Sequence, residues 1–220
     1  EPIQLSCGGG MLAALDGSDV PLGAPAPETA ATVLRAAVIL VNAEGDSVAS
    51  IPDLPVGAQQ VLGSRGMLAV TSGVILSGVT TSPLVQRFGF DGRAAGTDSL
   101  PLTSGATTDS IFDAEVDRMA GSTGSSSGPI YQRIREMLAR AGKPDSLPLF
   151  RAILADEDGY WVLTSLATDT VTTLLGLTNA GEFRRIVISG AVEPLQFRNH
   201  RLVARVKDAG GTQRVIVYRY

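Results

Sequence analysis

The chain has 220 residues, of which 44% are hydrophobic and 18% are charged, a composition typical of a folded globular protein. Its net charge of −4 at pH 7 gives no electrostatic footprint for nucleic acid. No apolar run approaches the roughly 18 residues of a membrane-spanning helix. The sequence therefore predicts neither a nucleic-acid partner nor a membrane span.

Cys7 is the single cysteine of the chain, so no disulfide can form within it. The residues around it faintly resemble a lipoprotein cleavage site, but they lack the charged and long apolar regions of a signal peptide. We expect Cys7 to end a strand, with lipidation as the alternative. Because the sequence begins at Glu1 and not at Met, we expect a fragment or a processed product.

The first predicted elements are two hairpins with period-2 patterning. Residues 3–7 and 11–15 flank three glycines, and residues 32–41 lead through a turn ending in Gly45 into residues 46–51. Glycine favours such turns because it adopts positive φ at little cost. Two hairpins predict a unit of four strands.

The same unit recurs along the chain. The second set of predicted strands is 66–70, 74–79, 84–90 and a polar strand ending near Leu102. The third set is 150–155, 160–165, 171–177 and 182–188, and the last is 195–198, 201–206 and 213–220. The sequence thus predicts three four-stranded units, at about 1–55, 56–104 and 147–193, and a final unit of three strands.

A helical insertion interrupts the strands at residues 108–142. Thr108 or Asp109 can cap a first helix over residues 110–119, and the Gly/Ser composition of 121–128 predicts a flexible linker. Pro129 suits the first turn of a second helix, which ends before Gly142. We expect the apolar faces of both helices to cover the chain's own surface, with a partner-binding lid as the alternative.

The segment from Asp156 to Val162, Asp-Glu-Asp-Gly-Tyr-Trp-Val, is followed by Leu-Thr-Asn-Ala-Gly at 177–181 and a closing strand at 215–220. These motifs resemble the blades of bacterial six-bladed β-propeller proteins of the NHL-like group. The resemblance implies an all-β fold in which residues 1–220 form the C-terminal portion of a propeller, with about four blades of four-stranded antiparallel sheets. It also implies a periplasmic or secreted location, and it implies no reaction.

The sequence offers few groups for catalysis. His200 is the only histidine and lies in a predicted turn beside Asn199, where nothing suggests a nucleophile for it to activate. One histidine and one cysteine cannot complete a closed zinc site. We therefore predict no catalytic residue, no metal and no cofactor, although catalysis itself stays open.

Two groups of side chains have an alternative structural explanation. Asp156, Glu157 and Asp158 could bind calcium through hard oxygen ligands, but a solvent-exposed Asx-type turn explains them better. Trp161 is expected to pack between neighbouring sheets. Calcium binding at this carboxylate cluster is the weaker hypothesis.

Three arginines are the candidate ligand-binding residues: Arg65, Arg151 and Arg198. They lie on or beside the first strands of predicted units, and in propellers these strands line the central channel. Arginine there could hold a carboxylate or phosphate, or it could pair with an aspartate of a neighbouring blade.

The favoured hypothesis is a non-catalytic module that binds an unidentified small molecule or protein. The alternative is a calcium-dependent hydrolase, similar to lactonase- and esterase-type propellers, for which the sequence offers no assignable ligand set. A structural fragment of a larger receptor is a third possibility.

Overall fold

The computed structural model describes residues 2–8, 11–16, 35–55, 61–71, 73–121, 127–140, 142–166, 170–207 and 212–220. These residues form four antiparallel sheets and two helices, and strands that follow one another in sequence are hydrogen-bonded neighbours in every sheet. No helix in this part of the chain is long and apolar enough to cross a membrane.

The sheets follow one another along the chain. Sheet 1 contains β1–β4, at Pro2–Gly8, Met11–Asp16, Arg35–Val41 and Ser47–Pro55. Sheet 2 contains β5–β8, at Gly66–Val70, Ile75–Val79, Leu84–Phe88 and Ala94–Ser99. Helices α1 (Asp109–Gly121) and α2 (Pro129–Arg140) come next.

The second half of the chain repeats the arrangement. Sheet 3 contains β9–β12, at Ala152–Asp156, Gly159–Leu163, Val171–Thr178 and Phe183–Ser189. Sheet 4 contains β13–β15, at Val192–Arg198, Arg201–Lys207 and Gln213–Arg219. The predicted units of four, four, four and three strands are confirmed, and Cys7 lies in a strand as expected.

A separate hydrophobic core fills the space between each pair of consecutive sheets. Val38 and Leu40 of sheet 1 pack with Leu68 of sheet 2. The next two cores lie between sheets 2 and 3 and between sheets 3 and 4. Sheets 2 and 3 are therefore each buried between two neighbours.

Strand β10 shows how one strand serves two cores. Tyr160 and Val162 belong to the core shared with sheet 2, whereas Trp161 and Leu163 belong to the core shared with sheet 4. Alternate side chains of a strand point to opposite faces, so a strand between two cores is apolar throughout. All five residues of β10 are buried.

The first strands of the sheets lie next to one another. β1 contacts β5, β5 contacts β9, and β9 contacts β13. Within the described residues the sheets do not close into a ring. Sheet 4 leaves Val215 and Val217 exposed, at 67% and 53%, on the face of β15 that points away from sheet 3.

Helix α1 covers one end of the sheets. The Thr108 hydroxyl accepts a hydrogen bond from the backbone N–H of Ile111 at 3.3 Å, so the predicted cap is correct. Phe112 and Val116 pack with Val61 and other buried residues in a fourth core. This end, at which the chain leaves β8 and enters β9, is called the helix end below, and the opposite end is called the turn end.

Helix α2 departs in part from the prediction that both helices cover the chain's own surface. Leu138 packs against the fourth core, and the Tyr131 hydroxyl donates a hydrogen bond to Asp117 of α1 at 3.0 Å. Ile130 and Met137, however, are 71% and 62% exposed. They lie on the same broad apolar face as Leu138, toward its other edge, so part of this face is exposed to solvent. The predicted linker at 121–128 lies mostly outside the described residues.

The central glycine of β11 lies directly against the tryptophan of β10. Trp161 and Gly176 are paired across the two strands. A Cβ atom at Gly176 would lie 2.7 Å from the indole ring, closer than carbon atoms can approach. The ring therefore occupies the space that any other residue at position 176 would need.

Candidate functional site

The largest described cavity has a volume of about 520 Å³ and lies at the helix end, between sheet 3 and the segments that connect sheets 2 and 3 to the helices. Ligand pockets commonly have volumes of about 300–1,000 Å³. Its lining combines leucine and proline side chains, three threonines and one arginine: Pro101, Leu102, Thr103, Gly105, Ile111, Leu147, Pro148, Leu149, Thr164, Leu166, Thr173, Leu175 and Arg185. We call this cavity the cleft.

One wall of the cleft consists of the two segments that connect the sheets to the helices. The Leu147 N–H donates to the carbonyl of Gly105 at 2.8 Å, and the Thr107 N–H donates to the carbonyl of Asp145 at 3.0 Å. The Ser104 hydroxyl donates to the Leu147 carbonyl. Because these bonds link residues about 40 positions apart, the wall is held by the fold and is not a free loop.

The opposite wall comes from sheet 3. Thr173 and Leu175 lie two residues apart in β11 and so point to the same face. Arg185 of β12 is directly paired with Leu175, which places its side chain on that face as well. The backbone N–H of Thr164 donates to the Thr173 carbonyl at 3.0 Å. This bond holds the residue that follows β10 against β11.

Of the described residues that line the cleft, Arg185 is the only charged one. Its neighbour Arg184 points to the other face and lies 3.7 Å from a carboxylate oxygen of Glu182. Among the described residues, no ion pair with a carboxylate is formed by Arg185. The cleft therefore combines an apolar wall, threonine hydroxyls and one positive charge.

The three arginines predicted to bind a ligand do not come together. Arg65 and Arg151 immediately precede β5 and β9 at the helix end, whereas Arg198 ends β13 at the turn end. The Arg151 guanidinium donates through Nε to the carbonyl of Ser165. None of the three lines the cleft.

Sequence reasoning missed Arg185. Its signal was the pair Arg184-Arg185 in an outer strand, where alternation sends one of two adjacent side chains toward the neighbouring sheet. Which of the two faces the cleft depends on the pairing of β12 with β11, and a single-strand pattern does not contain that pairing. Thr103 and Thr173 carried no signal at all.

At the turn end, the carboxylate cluster predicted either to bind calcium or to form a turn is partly engaged with aromatic residues. Asp156 accepts hydrogen bonds from Trp161 Nε1 at 2.9 Å and from the Tyr220 hydroxyl, while its other oxygen accepts from the Glu157 N–H at 2.8 Å. Glu157 and Asp158 are exposed, as a turn predicts. Among the described residues, no three His, Cys, Asp or Glu side chains are grouped to hold a metal.

Trp161 is part of the core, as predicted. It is 4% exposed, stacks on Phe197 with ring centroids 5.0 Å apart, and meets Tyr220 edge-on at 5.3 Å. Burial, together with the hydrogen bond to Asp156, raises the pKa of the Tyr220 phenol above its usual range. The tryptophan therefore joins sheets 3 and 4 and is not a ligand platform.

His200 lies in an exposed turn, as predicted. Asn199 and His200 both have positive φ, at 50° and 54°, which suits a two-residue hairpin turn. The His200 Nδ1 atom lies 3.8 Å from an oxygen of Asp158. No serine or cysteine is described as a hydrogen-bond partner of this imidazole.

A smaller cavity of about 220 Å³ lies at the turn end, also between sheets 2 and 3. Its lining includes a polar triad in which Asp98 lies 3.1 Å from Arg87 and accepts a hydrogen bond from the Tyr160 hydroxyl at 3.1 Å. Burial and the nearby Asp98 charge raise the pKa of Tyr160 above its usual range. Its arginine is already neutralised, in contrast to that of the cleft.

No family model matches the chain, and no curated protein matches it.

Proposed function

We propose that this chain is a non-catalytic binding module of the β-propeller class, and that it holds a small molecule in the cleft. The observation that carries the proposal is the 520 Å³ cavity between sheet 3 and the connecting segments, whose second wall is held by long-range backbone hydrogen bonds. Recognition sites are typically apolar clefts with a few placed polar groups. The cleft has that composition.

The arrangement of the sheets supports the propeller part of the proposal. Each sheet is a meander, the first strands lie side by side, and a separate core fills each space between sheets. Propellers repeat four-stranded sheets around a channel in this manner. The apolar outer face of sheet 4, with Val215 and Val217, is what a propeller presents to its next blade.

The lining of the cleft supports binding rather than catalysis. Its described residues contribute hydroxyl groups from Thr103, Thr164 and Thr173, and they include no histidine, cysteine or carboxylate. A hydroxyl nucleophile needs a neighbouring base to activate it. The Thr164 hydroxyl already donates to the Thr173 carbonyl at 3.2 Å, which is a structural role.

The proposal is tested by titrating the chain with N-phenyl-1-naphthylamine, a neutral apolar dye whose fluorescence rises on leaving water. We expect saturable binding to the wild type and its loss in Thr173→Trp, because the indole would fill the cleft. Thr97→Trp is the matched control: Thr97 is exposed on β8 and lines no described cavity.

Thermal melting establishes that both tryptophan variants are folded before they are compared. Equal loss of dye binding in Thr97→Trp and Thr173→Trp would contradict the proposal. So would unchanged binding in Thr173→Trp, since the dye would then occupy another surface.

A further inference from the structure

We propose that the ligand of the cleft is a small organic monocarboxylate with an apolar body, and that Arg185 holds its carboxylate. This inference rests on the proposed function, since it names the chemical class of the molecule that the cleft binds. The alternatives of a neutral apolar ligand and of a phosphate-bearing ligand are separated by the experiment below.

The charge of the cleft favours an anion. Within the part of the chain that the structure describes, Arg185 is the only charged residue of the lining, and no carboxylate lines the cavity. A guanidinium presents two parallel N–H donors that match the two oxygens of a carboxylate. A single cation also matches a single negative charge better than the two charges of a phosphate monoester.

The position of Arg185 orients the ligand. Arg185 is exposed on the outer strand β12, whereas Leu149 and Leu166 are buried. The carboxylate would therefore lie at the mouth of the cleft, close to solvent, and the apolar body would extend inward along the leucine walls. A molecule with one charged end and one apolar end satisfies both environments without burying an unpaired charge.

The threonines complete the head-group site. The Thr173 side chain lies on the same face of the sheet as Arg185, two residues along β11 from the residue that pairs with Arg185. Its hydroxyl can donate to a carboxylate oxygen that the guanidinium leaves free. One wall of the cleft thus carries a positively charged donor, the Arg185 guanidinium, and a neutral donor, the Thr173 hydroxyl.

The experiment compares octanoate, 1-octanol and octyl phosphate as competitors that displace N-phenyl-1-naphthylamine from the wild type. The three molecules share the same apolar chain and differ in the head group. We expect octanoate to bind up to about fivefold more tightly than 1-octanol, since a solvent-exposed ion pair contributes up to about that factor. Octyl phosphate should bind no more tightly than octanoate.

Arg185→Gln should remove the preference for octanoate over 1-octanol while dye binding persists. Arg184→Gln is the matched control, because Arg184 is the adjacent arginine of the same strand and faces the other way, toward Glu182. It should retain the full preference. Higher salt should weaken octanoate binding and leave 1-octanol binding unchanged.

The outcomes separate the two proposals. If Arg185→Gln keeps the preference for octanoate, or if 1-octanol binds as well as octanoate, the carboxylate inference is wrong while the binding cleft stands. Tighter binding of octyl phosphate would replace the carboxylate by a phosphate. If neither the dye nor any of the three competitors binds, the proposed function fails with it.

Discussion

The Tyr160 hydroxyl donates a hydrogen bond to Asp98 at 3.1 Å, and these two residues belong to different sheets. They are 62 positions apart in sequence. The other oxygen of Asp98 lies 3.1 Å from Arg87. Sheets 2 and 3 are thus joined by a polar contact as well as by their shared hydrophobic core.

Tyr160→Phe should lower the free energy of unfolding by about 1–2 kcal/mol, because it removes a hydrogen bond to a charged acceptor. Combined with Asp98→Asn in a double-mutant cycle, it should give a coupling energy of about 1 kcal/mol. Urea unfolding gives the free energy of unfolding of the wild type, of each single variant and of the double variant. The control is a second cycle that combines Tyr160→Phe with Asp91→Asn. Asp91 is exposed beside Arg93, so its coupling energy with Tyr160 should be near zero.

Alkaline pH should weaken the fold through Tyr160. The folded protein raises the pKa of this phenol, mainly through burial and then through the Asp98 charge, whereas the unfolded chain ionises near pH 10. The unfolded state therefore loses its proton first, so the contribution of Tyr160 to stability is full below about pH 10 and is lost above it.

The prediction is checked by measuring the free energy of unfolding at several pH values between about pH 8 and pH 11. Its decline above pH 10 should be shallower in Tyr160→Phe than in the wild type. Tyr220, whose pKa is also raised, adds to the decline, and Tyr220→Phe isolates its share. If a variant with both Tyr160→Phe and Tyr220→Phe lost stability above pH 10 as steeply as the wild type, neither phenol would be responsible for the decline.

Gly159→Val should be strongly destabilising. Gly159 has a φ of +149°, and a Cβ atom there would lie 2.1 Å from the Leu177 carbonyl oxygen. Backbone strain and displacement of β11 together should cost about 2–5 kcal/mol. In contrast, a Cβ atom at Gly73 meets nothing within 4 Å.

Thermal melting of the two glycine variants provides the comparison. We expect Gly73→Val to change stability by about 0.5 kcal/mol or less, as at other open surface positions. Similar melting of Gly159→Val and Gly73→Val would contradict the assigned conformation of the turn between β9 and β10.

Calcium should leave the melting temperature unchanged. Asp156 already accepts hydrogen bonds from Trp161, Tyr220 and the Glu157 N–H, so binding a cation there would break contacts of the aromatic core. A site saturated at about 100 times its dissociation constant would add roughly 2.7 kcal/mol, a shift of several degrees. Melting in EDTA and then in millimolar calcium distinguishes the cases, and such a shift would favour the calcium-dependent hydrolase.

Much of the fold was predictable because the information for hairpins is local. Alternating apolar residues and glycine turns such as the one ending in Gly45 predict the strands of each unit, and the pair Thr108 and Asp109 predicts the start of α1. The sequence also indicated that Trp161 is buried. These features depend on a few neighbouring residues and need no knowledge of distant partners.

The candidate site was not predictable from the same patterns. The cleft joins segments near Thr103, Leu147 and Arg185, and their proximity depends on how sheet 3 packs against sheet 2. Arg65, Arg151 and Arg198 lie on or beside the first strands of their units, but position in a strand does not reveal which cavity a side chain enters. The apolar pattern of the second helix likewise predicts a covered face, yet Ile130 and Met137 are exposed.

The pairing of Trp161 with Gly176 has a consequence for how β10 finds its partner during folding. The register of a strand with one solvent-exposed face is set by its hydrophobic pattern, because a slip of one residue exposes its apolar side chains. Both faces of β10 are buried, so a slip of one residue would only move each set of apolar side chains from one core to the other. Shape must then select the alignment: the indole fills the space left by the missing side chain of Gly176, whereas a slip of one position would set it against the side chain of Leu175 or Leu177.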